Sequence, residues 1–87
     1  MRVLLQDKDS SGKLMARQLQ NFAKETLIYI QVQGPGTVLI SKDESDLAKG
    51  WGLQLTQVQD VYSFRWLGKL FALGGTPPIQ VDIQVMQ

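Results

Sequence analysis

Near the carboxyl end, β-branched residues occupy every second position over eight residues: Ile79, Val81, Ile83 and Val85. The positions between them hold Gln80, Asp82, Gln84 and Met86. Because successive side chains of a strand point to opposite faces, this alternation predicts a β-strand with one buried and one exposed face. It is the strongest local constraint in the chain, and it favours a sheet-based fold.

Further strand patterns precede it at residues 26–33, 37–41, 51–56 and 60–66. The break Gly34-Pro35-Gly36 between the first two predicts a hairpin. Residues 67–69 are interpreted as a turn into a short run at 70–73, and 74–78 as a loop. Short strands at this spacing predict an all-β domain, a single antiparallel β-sandwich or short, jelly-roll-like β-barrel over residues 14–87. Residues 1–13 are assigned to an N-terminal arm.

Two segments have weaker patterns. Residues 13–24 fit an amphipathic helix, in which one side carries Leu14, Met15, Leu19 and Phe22. They also fit a strand, which we favour. Residues 43–50 read as a polar loop with one helical turn, since acidic residues come first and Gly50 stands at the C-terminal capping position.

Composition narrows the function classes. The chain has 87 residues and neither histidine nor cysteine, so the usual general base, disulfides and thiolate zinc sites are missing. We therefore expect a non-enzymatic protein without cofactor or metal. A domain this small buries only about 60% of its unfolded surface, which favours stabilisation by neighbouring chains.

Charge and hydropathy bear on partners. Nine basic and eight acidic side chains give a net charge of +1, which argues against nucleic acid as the partner. No apolar run approaches the roughly 20 residues of a membrane span, and the start of the chain does not resemble a signal peptide. We expect neither membrane insertion nor export.

Two acidic segments are candidate cation sites. Residues 7–12 fit the first half of a calcium loop, but Gln18 stands where a bidentate glutamate is needed, so a turn is predicted instead. No second set of carboxylates stands in register with Asp43, Glu44 and Asp46, so this segment is interpreted as a solvated loop.

The chain contains eleven glutamines, many of them on the polar sides of the predicted strands. Amides offer donors and acceptors without the desolvation cost of charges, which suits a face covered by a neighbouring subunit. Ordinary surface composition is the alternative interpretation. The candidate subunit or capsid interface comprises Arg2, Val3, Leu4, Leu5, Gln31, Gln33, Gln80 and Gln84.

The aromatic side chains have two interpretations. Tyr29, Tyr62, Trp66 and Phe71 are expected in the core, where a small domain needs large side chains. The alternative function is a small β-barrel binding module for single-stranded nucleic acid or carbohydrate, by stacking. Its candidate ligand surface is Trp51, Tyr62, Arg65, Trp66 and Lys69.

The order of several segments adds a family resemblance. An arginine-led strand reaching Asn21, a strand at 26–30, the Gly50-to-Leu55 segment, the run ending in Leu73 and the last strand follow one another. In this order the chain, over about residues 17–87, resembles small all-β virion proteins of tailed phages.

This resemblance implies a structural role in a virion, as a capsid decoration or cement protein that stabilises the shell by bridging capsomers. The implied partners are further copies of the chain, in a trimer or other ring, and a major capsid or other virion protein. The implied location is the virion, after synthesis in the host cytoplasm. On this hypothesis the arm becomes ordered on contact with the capsid or a neighbouring subunit.

Overall fold

The computed structural model describes residues 1–6, 8, 10–34, 36–56, 60–74 and 79–86. Its elements in chain order are β1 (Arg2–Leu5), β2 (Arg17–Gln33), β3 (Val38–Ser41), α1 (Glu44–Ala48), β4 (Leu53–Leu55), β5 (Val61–Leu73) and β6 (Ile79–Met86). The predicted all-β class is confirmed. The predicted loop at 74–78 lies outside the described residues except for Gly74.

The six strands form one antiparallel sheet in the order β1-β6-β2-β5-β3-β4. The sheet curls into a half-barrel, so it is nearer to the predicted short barrel than to two stacked sheets. The curl brings the ends of distant strands together. A Cβ atom added to Gly74 would lie 2.6 Å from Cβ of Leu5, and one added to Gly36 would lie 2.8 Å from Cδ1 of Ile79.

The predicted hairpin at Gly34-Pro35-Gly36 is wrong. β2 and β3 both pair antiparallel with β5, so they run parallel to each other and cannot form a hairpin. Instead, β2 lies between β5 and β6. The glycine-containing break therefore begins a connection that crosses to the far side of β5, and the curl of the sheet makes this short crossing possible.

The ambiguous segment before residue 25 is a strand, as we favoured, and it begins at Arg17. Its weak alternation has a structural cause. Gln18 lies opposite Phe71 and Gln20 opposite Leu70, so Leu19 is an extra residue at a β-bulge. The bulge changes the parity of the strand, which allows Leu19 and Phe22 to be buried together.

The predicted turn at residues 67–69 is also wrong, because β5 runs without interruption from Val61 to Leu73. Gly68 lies inside the strand with φ of +88°. It stands opposite Phe22, where the register between β2 and β5 shifts again before Thr26. A glycine that resembles a turn residue in the sequence here accommodates an irregularity in a long ladder.

The predicted helical turn is confirmed as α1. The carboxylate of Asp43 accepts a hydrogen bond from the backbone N–H of Ser45 at 2.9 Å, which caps the amino end of the helix. At the other end Gly50 has φ of +80°, the left-handed conformation expected of a glycine there. Leu47 is the buried residue of this helix.

The main core lies on the inner, concave face of the sheet and is apolar. Alternate residues of β2 and β6 supply its centre, and Val3 and Leu5 of β1 complete it at one edge. Trp66 is buried in this core, while Tyr62 and Phe64 pack against it partly buried. The predicted core role is therefore confirmed for Trp66, and Phe71 is buried as predicted. Phe71 is buried outside this cluster, and Tyr29 is only half-buried.

The start of the chain belongs to the sheet over residues 2–5, because β1 pairs with β6 of the same chain. The structure thus places this part of the assigned arm at an edge of the chain's own sheet. Farther along, Lys8 forms an isolated antiparallel bridge with Leu14, and Gly12 between them has φ of +86°. This agrees with the predicted turn, although Asp7 and Asp9 lie outside the described residues.

Candidate subunit-docking face

The outer side of the sheet carries a continuous group of polar side chains on three adjacent strands. Strand register places Leu4 beside Gln80 and Gln80 beside Gln33. The next row joins Arg2, Asp82 and Gln31, and a third row pairs Gln84 with Tyr29. We call this surface the amide face; it comprises Arg2, Leu4, Tyr29, Gln31, Gln33, Gln80, Asp82 and Gln84.

Asp82 is at the centre of the polar contacts on the amide face. Its Oδ1 accepts a hydrogen bond from Nε of Arg2 at 3.0 Å, which is also an ion pair. Its Oδ2 accepts a hydrogen bond from Nε2 of Gln33 at 3.3 Å. One carboxylate therefore links side chains from β1, β6 and β2 and neutralises the guanidinium beside it.

A groove of about 680 Å³ lies on this side of the sheet. Gln20 of β2 and Val61 of β5 line it together with residues of the amide face, which are Arg2, Tyr29, Gln31, Asp82 and Gln84. Val61 stands opposite Gln31 and is one of the more exposed apolar side chains of the chain. The groove thus offers amide groups beside an aromatic ring and an exposed aliphatic side chain.

The sequence-predicted interface residues divide between the two sides of the sheet. Six of the eight lie on the amide face: Arg2, Leu4, Gln31, Gln33, Gln80 and Gln84. Val3 and Leu5 point the other way and are buried in the core. Alternation along β1 is the reason, because a continuous run of four strand residues cannot present all its side chains to one partner.

Sequence reasoning missed Asp82, Tyr29 and Val61 as members of this surface. Asp82 occupies a polar position of the carboxyl-terminal strand, and its parity with Gln80 and Gln84 is a signal that was present in the sequence. Tyr29 shares parity with Gln31 and Gln33 in the same way. Val61 carried no such signal, because its place beside Gln31 depends on the pairing of β2 with β5.

The five residues of the alternative ligand surface do not form one patch. Trp66 is buried, and its indole N–H donates to the carbonyl oxygen of Lys69 at 2.9 Å. Arg65 lies on the opposite face of β5, next to Trp66 in the chain, and is exposed. Tyr62 packs against the core, and its hydroxyl accepts a hydrogen bond from the backbone N–H of Thr56 at 3.3 Å.

Trp51 is separate from the other four and lies just before β4. Its side chain is 62% exposed, and the ammonium group of Lys49 lies 5.1 Å from the centre of its ring. Leu53, two residues further on, is also exposed. Both exposed side chains belong to the β4 end of the strand order, opposite to the end that carries the amide face.

Of the carboxylates at 43–46, that of Asp43 caps α1, and Glu44 and Asp46 lie in the first turn of the helix. Hydrogen bonds from the backbone and hydroxyl groups of Ser45 lower the pKa of Asp43, with a smaller contribution from the charge of Lys49. Among the described residues, no three acidic side chains come together as a group that could hold a metal ion.

Within the part of the chain that the structure describes, no helix has the length and apolar character needed to cross a membrane. No protein-family model, curated protein or solved structure matches this chain.

Proposed function

We propose that this chain is a non-enzymatic structural protein of a tailed-phage virion, a capsid decoration or cement protein that docks through its amide face. Its partners in this proposal are further copies of itself and a major capsid or other virion protein. By covering the boundary between neighbouring subunits it stabilises the shell.

The observation that carries the proposal is the composition of the amide face. Over β1, β6 and residues 26–33 of β2, the outer side chains include one cation and one anion, Arg2 and Asp82, which pair with each other. The other positions hold glutamine, tyrosine, leucine and methionine. A surface that stays in water is usually richer in lysine and glutamate.

This composition suits a surface that is covered on assembly. Burying an unpaired charge costs far more than burying an amide that finds a hydrogen-bond partner. Amides supply both donors and acceptors, so they can satisfy polar groups of either kind on a partner. Docking also adds stability by mass action, because a partner that binds only the folded state shifts the folding equilibrium.

The virion context comes from the resemblance of residues 17–87 to small all-β phage proteins. A protein that clamps a lattice needs a rigid surface complementary to its neighbours, and a small curled sheet with an apolar core provides a rigid support for one. The two kinds of support are independent, since the face is a property of the fold and the resemblance is a property of the segment order.

Analysis of purified particles tests this proposal. The phage or prophage that encodes the chain is induced, its particles are banded by density, and their proteins are quantified by gel and mass spectrometry. We expect the chain at a fixed copy number relative to the major capsid protein. If an assay sensitive to one copy per capsomer does not detect the chain on the particles, the proposed function is contradicted.

Matched glutamine substitutions then test the face. Gln31→Lys and Gln80→Lys each add a positive charge to a face on which Arg2 and Asp82 already pair, and we expect them to lower the copy number on particles. Gln54→Lys is the control, because Gln54 is an exposed glutamine of β4 remote in strand order from this face. Equal occupancy for all three variants, each shown to be folded by circular dichroism, would rule out docking through the amide face.

A further inference from the structure

Strand β1 is an edge of the sheet, and its hydrogen bonds to β6 show which of its backbone groups are already paired. The backbone nitrogen of Met1 donates to the carbonyl oxygen of Ile83 at 2.6 Å, and the backbone N–H of Ile83 donates to the carbonyl oxygen of Met1 at 2.7 Å. Met1 and Ile83 are therefore a hydrogen-bonded pair of the antiparallel ladder.

The alternation of such ladders fixes the residues that follow. Val3 with Val81 and Leu5 with Ile79 are the next hydrogen-bonded pairs, while Arg2 with Asp82 and Leu4 with Gln80 are not. The N–H and C=O groups of Arg2 and Leu4 consequently point away from β6. No strand of the described chain lies on that side of β1.

This edge has few of the features that discourage pairing with another chain. Edge strands are commonly guarded by lysine, proline or a bulge, and β1 contains none of these. Its one charge, Arg2, is paired with Asp82 within the same sheet. Leu4 is 42% exposed and stands at the centre of the open edge.

We propose that a second copy of this chain pairs antiparallel with β1, with Leu4 of one copy opposite Leu4 of the other and Arg2 opposite Gln6. The inference rests on the proposed function in one respect, because it names the self-partner of that assembly. The outward backbone groups of Arg2 and Leu4 then find partners, and the two sheets become one.

Charge and exposure select this register. It brings the two exposed Leu4 side chains together and places each guanidinium beside a neutral amide. The two Arg2 residues are then four positions apart, about 13 Å along the strand at roughly 3.3 Å per residue. This exceeds the Debye length of about 8 Å at physiological ionic strength, so their repulsion is screened.

Moving the second copy by one hydrogen-bonding step would place Arg2 opposite Leu4. The guanidinium groups would then be diagonal neighbours on one face, and like charges at that distance destabilise a strand pair. In the favoured register, the row that contains Gln33, Gln80 and Leu4 continues directly into the same row of the second copy. The two amide faces thereby become one surface.

Cysteine cross-linking tests the contact, because the chain has no cysteine of its own. Residues opposite each other in a hydrogen-bonded antiparallel pair have Cα atoms about 5.5 Å apart, within the range of a disulfide. We expect Leu4→Cys to form a covalent dimer rapidly under mild oxidation. Arg2→Cys should not, since the two cysteines would lie about 13 Å apart at roughly 3.3 Å per residue.

Leu53→Cys is the control for the other edge, because Leu53 is a similarly exposed leucine on β4. Faster cross-linking through Leu53 or through Arg2 than through Leu4 would overturn the proposed contact. A cross-linking rate of folded Leu4→Cys no higher than that of the same variant unfolded in urea would also overturn it.

Sedimentation equilibrium of cysteine-free protein gives a second readout. Leu4→Lys places like charges opposite each other, and we expect the dimer dissociation constant to rise at least about tenfold. Leu4→Pro should act similarly without unfolding the protomer, because the N–H that proline removes faces away from β6. Leu53→Lys should leave association unchanged, and an unaltered constant in both Leu4 variants would refute the pairing.

The outcomes also separate this inference from the proposed function. The cross-linking and sedimentation experiments use the isolated protein, whereas the particle analysis measures occupancy on virions. If the chain is present on particles but its isolated Leu4 variants dimerise as wild type does, edge pairing alone is refuted. A chain that dimerises through Leu4 and is absent from particles would refute the virion role alone.

Discussion

Phe22 of β2 lies opposite Gly68 of β5, and the next aligned pair is Thr26 with Trp66. β2 therefore advances four positions while β5 advances two, which inserts extra residues into the longest ladder of the sheet. Gly68 has φ of +88° at this point, a conformation that other residues adopt only with strain. The glycine thus provides the backbone conformation needed where the register shifts.

Replacing this glycine should destabilise the fold through backbone strain alone. A Cβ atom at position 68 would meet no other atom within 4 Å, so Gly68→Ala introduces no clash. We expect a loss of about 1 to 2 kcal/mol in the free energy of unfolding, measured by urea denaturation. Gly68→Asn should lose less stability, because asparagine tolerates the left-handed backbone conformation better than alanine does. If Gly68→Ala were as stable as the wild type, the strain argument would be contradicted.

Gly74 should respond to substitution for a different reason. Its φ is not in the left-handed region, but an added Cβ would lie 2.6 Å from Cβ of Leu5 and 3.3 Å from its carbonyl oxygen. Gly74→Ala should therefore displace β1 and cost about 1 to 3 kcal/mol, as overpacking does. Hydrogen exchange should show faster exchange at the amides of Val3 and Leu5, and protection unchanged at β1 would disprove the steric account.

The two tryptophans should report on separate parts of the molecule. Trp66 is 5% exposed and donates its indole N–H to Lys69, whereas Trp51 is 62% exposed. Trp66→Phe removes this hydrogen bond and some packed volume, and we expect a loss of about 1 to 3 kcal/mol in urea unfolding. Trp51→Phe should change stability by less than about 0.5 kcal/mol.

Acrylamide quenching of the same variants provides a check independent of stability. The fluorescence that remains in Trp66→Phe comes from Trp51 and should be quenched readily. The fluorescence that remains in Trp51→Phe comes from buried Trp66 and should be protected until the protein unfolds. Similar quenching of the two variants would mean that the placement of these side chains is wrong.

The cap of α1 should make stability depend on pH in acid. The pKa of Asp43 is lowered by its hydrogen bonds with Ser45, so the folded state favours the carboxylate. Its contribution is present above the ordinary carboxyl pKa near 3.8 and is lost as pH falls through the lowered value. Asp43→Asn keeps a capping oxygen without the charge.

We therefore expect wild type to be more stable than Asp43→Asn near neutral pH. This difference in the free energy of unfolding should vanish as the pH falls through the lowered pKa of Asp43. Urea denaturation at a series of pH values measures it. Asp43→Ala, which lacks any capping oxygen, should be the least stable variant at neutral pH. A wild-type advantage over the asparagine variant that stays constant down to the lowest pH would exclude the carboxylate as its source.

Apart from β1 and the continuation of β5 through residues 67–69, local patterns in the sequence predicted most of the strands and which of their sides are buried. The alternation of residues 79–86 sufficed for this, because a strand's side-chain period is a property of its own backbone. The capped turn at 43–50 was predictable for the same reason, since Asp43 and Gly50 act on their immediate neighbours. Parity along these strands also placed most of the amide face on one side.

Tertiary structure alone decided which strands are neighbours. Gly34 resembles a hairpin residue and Gly68 a turn residue, yet one begins a crossing connection and the other lies within a long strand. Pairing depends on contacts between residues far apart in the chain, which no local pattern encodes. The same contacts bring Val61 beside Gln31, bury Leu19 through a bulge and leave Leu4 on an edge strand. The place of Val61 beside the amide face and the open edge of β1 are therefore features that only the tertiary structure decided.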